Sequence, residues 1–521
     1  MRSCSCPRSW LHALERALPA VAAAVLCGCA ALGAYRDEPA RTHLAGPTGS
    51  PAAECARLFE DLDDAVAKAG VHDAGASIVN GHPYLRADRF IASFAADAAS
   101  ERAFDDWVAW MLRLDEQARS IELANLGAPF PDSGAGDTLA RLRDCRAMLA
   151  SADLREDSGR RRLRESVVVP PDYAAWKRVL GLYALTRIPF ASGIRAWQQR
   201  TAAEFAAPLA ALPLRGTLVR YGAARGGERP DPSAVAAALA RAPRNALAVP
   251  LLPAADLERL FAAFAPEIEI DVAGEDDRPG ALGYGADGTL RVDPARPTVY
   301  RRASFARYGD RVLLQLDYSL WFAARTPESA FDLLSGAFDG ITWRVTLGED
   351  GTPLVFDSMH NCGCYHLFFP TPSAVPRAKP DTIDEWMFSP QALPRLSAAD
   401  TVTLRLESRT HYLQRVRIGA PPAADPARYA FEDDDRLRSL PLPAGGTRSA
   451  FGPEGIVAGS ERGERFLYWP MGVRAPGAMR QWGRHATAFV GMRHFDDPDL
   501  MERYFELPPA PLASGRKGVR E

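Results

Sequence analysis

Residues 341–358, "ITWRVTLGEDGTPLVFDS", decide the fold of the second half of the chain. Two runs of alternating apolar and polar residues flank Asp350-Gly351, a dipeptide that is a strong signal for a turn between antiparallel strands. The stretch therefore predicts a β-hairpin. Similar alternation at 311–322 and 401–408 predicts further strands on both sides of it.

The first half of the chain has helical periodicity instead. Residues 52–70, "AAECARLFEDLDDAVAKAG", place apolar side chains on one face at spacings of three and four, and Gly70 is a typical end for the helix. Residues 101–127 and 137–152 repeat the pattern, and 172–212 predict two more helices broken at Pro189. Together these patterns predict an α+β protein, with a helical N-terminal domain followed by a mainly antiparallel β-rich domain.

The same patterns divide the chain into five parts. We expect a signal peptide at 1–29, a flexible tether at 30–50, an α-helical domain at 51–212, a mixed α/β connecting region at 213–285 and a β-rich domain at 286–521. Short strand candidates also lie at 215–222, 465–470 and 485–495.

Composition excludes several functions. The chain has 521 residues and a formal net charge of −3, which gives no electrostatic basis for binding nucleic acid. It contains no Walker loop, no H-E-x-x-H and no G-x-S-x-G. The acidic residues Asp271 and Glu275–Asp277 lack the spacing of a calcium loop, so a solvated turn is favoured there.

The N-terminus carries a processing signal. Arg2, Arg8 and Arg16 precede the apolar run 17–26, which is too short to span a bilayer. The following "LCGC" resembles the lipobox of bacterial lipoproteins, although Cys27 stands where the family prefers a small or hydroxyl residue. The resemblance implies that Cys29 is acylated and that the protein is anchored to the outer membrane, facing the periplasm. An ordinary cleaved signal is the alternative.

Four cysteines remain once the signal and the lipidated cysteine are set aside. Cys55 and Cys145 both lie on apolar faces of helices that should pack together. Since disulfides persist in an oxidising compartment, we predict a Cys55–Cys145 disulfide. The other two, Cys362 and Cys364, lie in "HNCGCYH", at the end of the second predicted strand of the hairpin.

The "HNCGCYH" segment places a candidate ligand at every second position: His360, Cys362, Cys364 and His366. In an extended strand its ends would be about 20 Å apart, too far for one tetrahedral metal. A single zinc or copper ion therefore requires a turn, and Gly363 is the position where a turn costs the least conformational free energy. The realistic set is Cys362, Cys364 and one of these histidines, completed by His411, His485 or His494 from later in the chain.

Three other interpretations of the segment stay open. Cys362 and Cys364 form a small disulfide ring, which is the labile, redox-active kind if it is strained. Alternatively, one cysteine is a nucleophile with His360 or His366 as its base, or the side chains are buried and inert. Three functions follow from these alternatives. A metal site predicts a metal-binding envelope lipoprotein, a disulfide predicts a non-enzymatic envelope scaffold, and a nucleophile predicts a thiol-dependent enzyme.

Two remaining features carry less weight. The aromatic residues Trp321, Phe322, Trp343, Tyr365, Phe368 and Phe369 alternate along strands, which favours core positions over a ligand groove. The phrases "WKRVLGLYALTRIPF" and "FDSMHNCGCYH" resemble those of bacterial envelope lipoproteins, a resemblance that implies a location but no activity.

Overall fold

Helices dominate the first half of the chain. The computed structural model describes residues 49–127, 130, 135–224, 232–397, 400–420 and 425–509. Its helices, numbered in chain order, are α1 Pro51–Ala69, α2 Arg89–Ala92, α3 Glu101–Leu126, α4 Ala135–Asp153, α5 Asp157–Ser166, α6 Ala175–Leu180, α7 Tyr183–Ala206, α8 Pro232–Arg241, α9 Ala254–Ala263, α10 Arg465–Tyr468 and α11 Leu500–Tyr504. Short 3₁₀ helices lie at Leu209–Ala211, Glu275–Asp277, Asp434–Arg438 and Trp469–Met471.

Strands dominate the second half, as predicted. They are β1 Ser77–Val79, β2 His82–Ala87, β3 Thr217–Ala223, β4 Glu267–Val272, β5 Ala281–Tyr284, β6 Leu290–Asp293, β7 Thr298–Tyr308, β8 Arg311–Arg325, β9 Gly336–Leu347, β10 Pro353–His360, β11 Leu367–Pro370, β12 Val375–Pro376, β13 Thr401–Leu406, β14 Leu413–Gly419, β15 Ala427–Asp433, β16 Leu440–Pro441, β17 Thr447–Arg448 and β18 Phe505–Glu506. The α+β class is confirmed. The division at 51–212, 213–285 and 286–521 stays a prediction.

One ten-stranded sheet organises the second half, in the order β11-β10-β9-β8-β7-β15-β3-β4-β13-β14. The run from β11 to β7 is antiparallel, as are the β3–β4 and β13–β14 pairs. The β7–β15, β15–β3 and β4–β13 pairs are parallel. The sheet is therefore mixed but mainly antiparallel.

The β9–β10 hairpin forms where the sequence predicts it. The Gly348 N–H donates to the Thr352 carbonyl at 2.8 Å, and Gly351 adopts a φ of +78° that suits glycine. Directly across the pair, Arg344 faces Asp357, and both are fully buried. Because two buried charges need each other as partners, this ion pair fixes the register of the hairpin.

The helical part has its own core around the disulfide. The Cys55–Cys145 disulfide is confirmed and joins α1 to α4, with Cα atoms 5.1 Å apart. Ser50 caps the start of α1 and Gly70, at φ +67°, ends it as predicted. The sequence predicts only helices in this region, but the structure also contains the hairpin β1–β2 here.

The helix predicted to break at Pro189 does not break there. Helix α7 runs through Pro189, and the break between the two helices lies at Gly181–Leu182 instead. Proline leaves the carbonyl four residues earlier without its helical partner, and here that residue is Leu185, whose exposed position lets water replace the lost bond. At its end α7 packs on the sheet, where Phe205 joins the main core.

Two late strand candidates are also wrong. Residues 465–470 lie in α10 and a 3₁₀ helix. Pro470 has no N–H that could donate a hydrogen bond to a neighbouring strand. Residues 485–495 form a loop with a single bridge between Ala486 and His494. The Tyr173 hydroxyl accepts hydrogen bonds from the Ala488 and Arg493 N–H groups, so side chains satisfy backbone groups that a strand would pair.

Candidate functional site

The two cysteines lie on the turn between β10 and β11. The Gly363 N–H donates to the His360 carbonyl at 2.7 Å, and the His360 N–H donates to the Cys364 carbonyl at 2.9 Å. Gly363 has a φ of +92°, and a Cβ there would lie 2.5 Å from the Ala486 carbonyl oxygen. Both its conformation and the space around it therefore require glycine. The predicted Gly363 turn is confirmed.

Side chains from the C-terminal loop hold this turn against the sheet. The Arg480 Nε donates to the Cys362 carbonyl at 3.0 Å, and its backbone N–H donates to the Asn361 carbonyl at 2.9 Å. The Asn361 amide in turn accepts from Thr342 on β9 at 2.8 Å and donates to the Leu320 carbonyl on β8 at 2.9 Å. The position of the cysteines is thus fixed from two sides.

Cys362 and Cys364 are both free thiols and are hydrogen-bonded to each other. The hydrogen bond from Cys364 lowers the pKa of Cys362; burial opposes this, and the nearby Arg462 guanidinium adds to it. The same hydrogen bond, together with burial, raises the pKa of Cys364 well above its usual range. Of the two thiols, Cys362 is therefore the one that loses its proton more readily, and Cys364 is the hydrogen-bond donor.

The pair lies in the wall of a cavity of about 500 Å³. Helix α7 supplies Phe190, Ile194 and Trp197 to another wall. The cavity is large enough for a small organic molecule, since such sites span roughly 300–1,000 Å³. Its polar groups include Glu464, Glu385, Arg493, Thr487 and His366.

Tyrosines complete the wall beside Cys364. The Tyr412 hydroxyl donates to the Tyr365 hydroxyl at 2.7 Å and accepts from Arg325 Nη2 at 3.1 Å. Burial raises the pKa of both phenols, so they stay neutral. Tyr365 also packs at 5.4 Å from the Trp197 ring. Among the six aromatic residues considered above, Tyr365 lines the cavity; the other five are buried in the core, as favoured.

Glu464 is a carboxyl group of the cavity wall whose pKa is strongly raised. Burial raises its pKa to about 7, although Arg462 and Arg325 act in the opposite direction. Its side chain packs on Gly477, where a Cβ would come within 2.0 Å of a Glu464 oxygen. A carboxyl with this pKa exchanges its proton near neutral pH.

His360 and His411 meet at one buried carboxylate. The Asp339 oxygens lie 3.5 Å from His360 Nδ1 and 2.9 Å from His411 Nδ1, and one of them accepts from Arg462 at 3.1 Å. Burial opposes the charge on Asp339, but these partners hold its pKa well below the usual range. His411 also stacks on Phe322 at 3.8 Å. Asp339 thus links His411 to His360 of the segment, and the role of His411 as a ligand beside the cysteines stays a prediction.

His366 pairs with a different carboxylate. Its Nε2 lies 2.9 Å from Asp357 Oδ2, and Arg344 binds both Asp357 oxygens, at 3.0 and 2.5 Å. Burial lowers the pKa of His366 to about 4, so the ring is neutral at physiological pH. Its other ring nitrogen lies 3.4 Å from Thr487 Oγ1 on the cavity wall.

The two later histidines have different surroundings. His494 accepts from the Asp172 N–H at 3.1 Å and lies near the Asp497 carboxylate. Burial lowers the pKa of His485 to about 3, and Arg480 adds to this effect. His485 is buried next to Ala486, which touches Gly363.

The predicted zinc or copper site needs at least three ligands. Within the ranges that the structure describes, no three His, Cys, Asp or Glu side chains are grouped so that they could hold a metal ion. The metal site at His360, Cys362, Cys364, His366, His411 and His485 stays a prediction. The cysteine pair itself supplies two soft ligands.

Several site residues escaped the sequence analysis. Asp339, Arg462, Glu464, Tyr412 and Trp197 carry no motif, and all but Asp339 lie outside the β9–β10 hairpin. Asp339 alone had a usable signal, because it stands inside the strongly apolar strand β9 and a charge there requires a partner.

The expected signal peptide, the lipidated Cys29 and the tether up to residue 48 lie outside the described residues. In the part of the chain that is described, no helix has the length and apolar character needed to cross a membrane. Comparison of this chain with protein-family models, with curated proteins and with solved structures gives no match.

Proposed function

We propose that this protein is a lipid-anchored dithiol protein of the bacterial cell envelope, in which Cys362 and Cys364 exchange electrons with a small disulfide in the adjoining cavity. The observation that carries the proposal is the hydrogen bond between two free thiols in a cavity wall, which lowers the pKa of Cys362. A thiolate is the species that attacks a disulfide, and a second thiol beside it releases the product.

The exchange takes two steps. The Cys362 thiolate attacks one sulfur of the substrate disulfide, forms a mixed disulfide and displaces one substrate thiolate, which takes a proton from water. Cys364 then loses its proton to water and attacks the Cys362 sulfur, which closes the Cys362–Cys364 disulfide and displaces the second substrate thiolate. Two electrons pass from the protein dithiol to the substrate disulfide. The reverse sequence oxidises a substrate dithiol.

The expected location is consistent with this chemistry. The "LCGC" motif supports acylation of Cys29 and an outer-membrane anchor facing the periplasm. The Cys55–Cys145 disulfide supports an oxidising compartment. Incorporation of labelled palmitate into the wild type but not into Cys29→Ala tests the anchor.

The dithiol is tested by equilibrating the protein with glutathione buffers of graded potential. Free thiols are then trapped with a maleimide and counted by mass. We expect Cys362 and Cys364 to become protected together, in one two-electron transition, while Cys362→Ser and Cys364→Ser each lose that transition. The Cys55→Ala/Cys145→Ala variant, which keeps the turn, should retain it. Two thiols that stay free across the whole series would contradict the proposal.

The same samples test the zinc or copper hypothesis. The protein is purified without chelator and analysed for metal, with Cys362→Ser as the matched control. Stoichiometric zinc or copper that disappears in Cys362→Ser would replace the dithiol proposal with the metal-binding one.

A second candidate is a thiol enzyme that uses a histidine base. It is favoured by one observation: the neutral His366, held by Asp357, lines the same cavity as the cysteines. A cysteine nucleophile with a histidine base forms an acyl-enzyme with a thioester or ester. Accumulation of a Cys362 or Cys364 acyl adduct with a thioester probe, lost in His366→Gln, would favour this candidate.

A further inference from the structure

Helices α6 and α7 follow each other across Gly181 and Leu182, and we call this pair of helices the hairpin; many of its exposed side chains are apolar. The junction of the two helices lies close to the 3₁₀ helix Trp469–Met471, since a Cβ on Gly181 would come within 2.5 Å of the Pro470 Cβ. The outward side chains are each more than half exposed, although all are large and apolar: Val179, Leu180, Leu182, Leu185 and Ile188. Soluble surfaces rarely group such residues without a binding role.

The apolar surface continues onto the neighbouring segment. Phe466 is 70% exposed, Leu467 is 55% exposed and Trp469 is partly exposed. Helix α6 packs on the 3₁₀ helix that contains Trp469. We call the eight residues of the hairpin and this segment the apolar patch.

The hairpin, which carries five of the eight patch residues, has charge of one sign, whereas the segment beside it holds both Glu461 and Arg465. From residue 175 to 203 the chain contains five basic residues and no Asp or Glu, while the whole protein carries −3. The basic residues are Lys177, Arg178, Arg187, Arg195 and Arg200. Arg187 lies 3.6 Å from Asp384, a half-exposed partner outside the hairpin. Exposed leucines, an aromatic residue such as Trp176 and interspersed cations are the composition of helices that lie in a lipid headgroup layer.

We propose that the apolar patch docks on an anionic phospholipid surface. Charge decides between this partner and a second copy of the chain. A symmetric dimer would bring the same patch of both copies together and would oppose the five cations of one hairpin to the five of the other. Phosphate headgroups neutralise these cations, and the acyl region accepts the apolar side chains.

The docked helix would connect the membrane to the dithiol cavity. Phe190, Ile194 and Trp197 line the cavity from the same helix that carries Leu185 and Ile188 on its outer side. Docking therefore holds the cavity one helix thickness from the lipid. The inference does not depend on the redox proposal, because it rests on the outer face of the hairpin.

The test measures whether Trp469 of the patch and the neighbouring Trp176 reach lipid. The full chain is mixed with vesicles of phosphatidylcholine and phosphatidylglycerol, with and without brominated acyl chains that quench tryptophan on contact. We expect quenching at least twofold greater in the wild type than in Trp176→Phe/Trp469→Phe. Quenching should fall to the level of this variant in Leu182→Asp/Leu185→Asp and in vesicles without phosphatidylglycerol. Any quenching that results from attachment of the N-terminus to the vesicle is the same in all variants, so it does not affect the comparison between them.

A control is Met148→Asp, which places one such negative charge on an exposed apolar position of α4 and should be quenched like the wild type. Equal quenching in the wild type and Leu182→Asp/Leu185→Asp would overturn the proposal. So would a dimer in solution that Leu182→Asp/Leu185→Asp dissociates while neither protein is quenched, because the patch would then be a protein interface.

Discussion

Cys364 donates its thiol hydrogen bond to Cys362, two residues earlier on the same turn, and this bond is the largest influence on the Cys362 pKa. Cys364→Ala removes the donor. Because hydrogen bonds to charged groups contribute roughly 1.5–3 kcal/mol, the pKa of Cys362 should rise when this donor is lost. The rate of alkylation of Cys362 by iodoacetamide, followed from pH 6 to 10, measures the shift.

The matched variant is Cys364→Ser, whose hydroxyl can still donate. Its alkylation profile should lie between those of the wild type and Cys364→Ala. If all three profiles coincide, the hydrogen bond does not control the thiolate.

Gly363 is required both for its backbone angle and for its close contact with Ala486, and the two requirements can be separated. Gly309, in the β7–β8 turn, also has a positive φ, of +58°, but a Cβ there meets nothing within 4 Å. Gly309→Ala should cost about 1–2 kcal/mol of unfolding free energy from the left-handed backbone alone. Gly363→Ala should cost at least about 2 kcal/mol more, because the Ala486 backbone must move.

Urea denaturation measures both costs. Cys362 alkylation in Gly363→Ala provides the second readout, since a shifted turn should separate the thiols. Equal costs at the two positions would show that the contact with Ala486 relaxes freely.

The turn itself could be predicted from the sequence, whereas most of the site around it could not. Alternation around Asp350-Gly351 and the glycine at 363 are local signals, and both features form where expected. Helix α7, Arg462 and Glu464 approach the cysteines from parts of the chain about 100 or more residues distant. Periodicity reports which face of an element is buried, but not which other element covers it.

The C-terminal loop shows a second limit of the sequence. Residues 485–495 alternate like a strand, yet Tyr173 and Arg493 satisfy the backbone groups of that segment with side chains. The apolar residues of α7 are spread around the helix and not confined to one face, and this was a usable signal, since such a helix has partners on more than one side. Here one side faces the cavity and the other carries the apolar patch.

The Cys55–Cys145 disulfide should be a main source of stability in the helical region. It links residues 90 positions apart, and closing a loop of that length in the unfolded chain is worth about 4–5 kcal/mol. Cys55→Ala/Cys145→Ala should lower the unfolding free energy by about that amount. The reduced wild type is the matched control and should be destabilised similarly. A loss below about 1 kcal/mol in both would contradict the prediction.

Glu464 should make stability depend on pH in a defined window. Its pKa is raised by burial from 4.5 to about 7, so the folded protein holds this proton more tightly than the unfolded chain does. Raising the pH through this interval therefore removes stability, by about 2–3 kcal/mol between pH 5 and 8. Glu464→Gln mimics the protonated carboxyl and should abolish this loss.

The measurement is the unfolding free energy of the wild type and Glu464→Gln at pH 5 and pH 8. The buried histidines contribute equally to the pH dependence of stability in both proteins. The difference in unfolding free energy between the two proteins therefore isolates the effect of Glu464. We expect Glu464→Gln to gain about 2–3 kcal/mol relative to the wild type as the pH rises. The control is Glu461→Gln, at an exposed carboxylate three residues earlier, which should stay within about 0.5 kcal/mol of the wild type at both values. A constant difference between Glu464→Gln and the wild type would mean that Glu464 is already ionised at pH 5, and that Arg462 and Arg325 outweigh its burial.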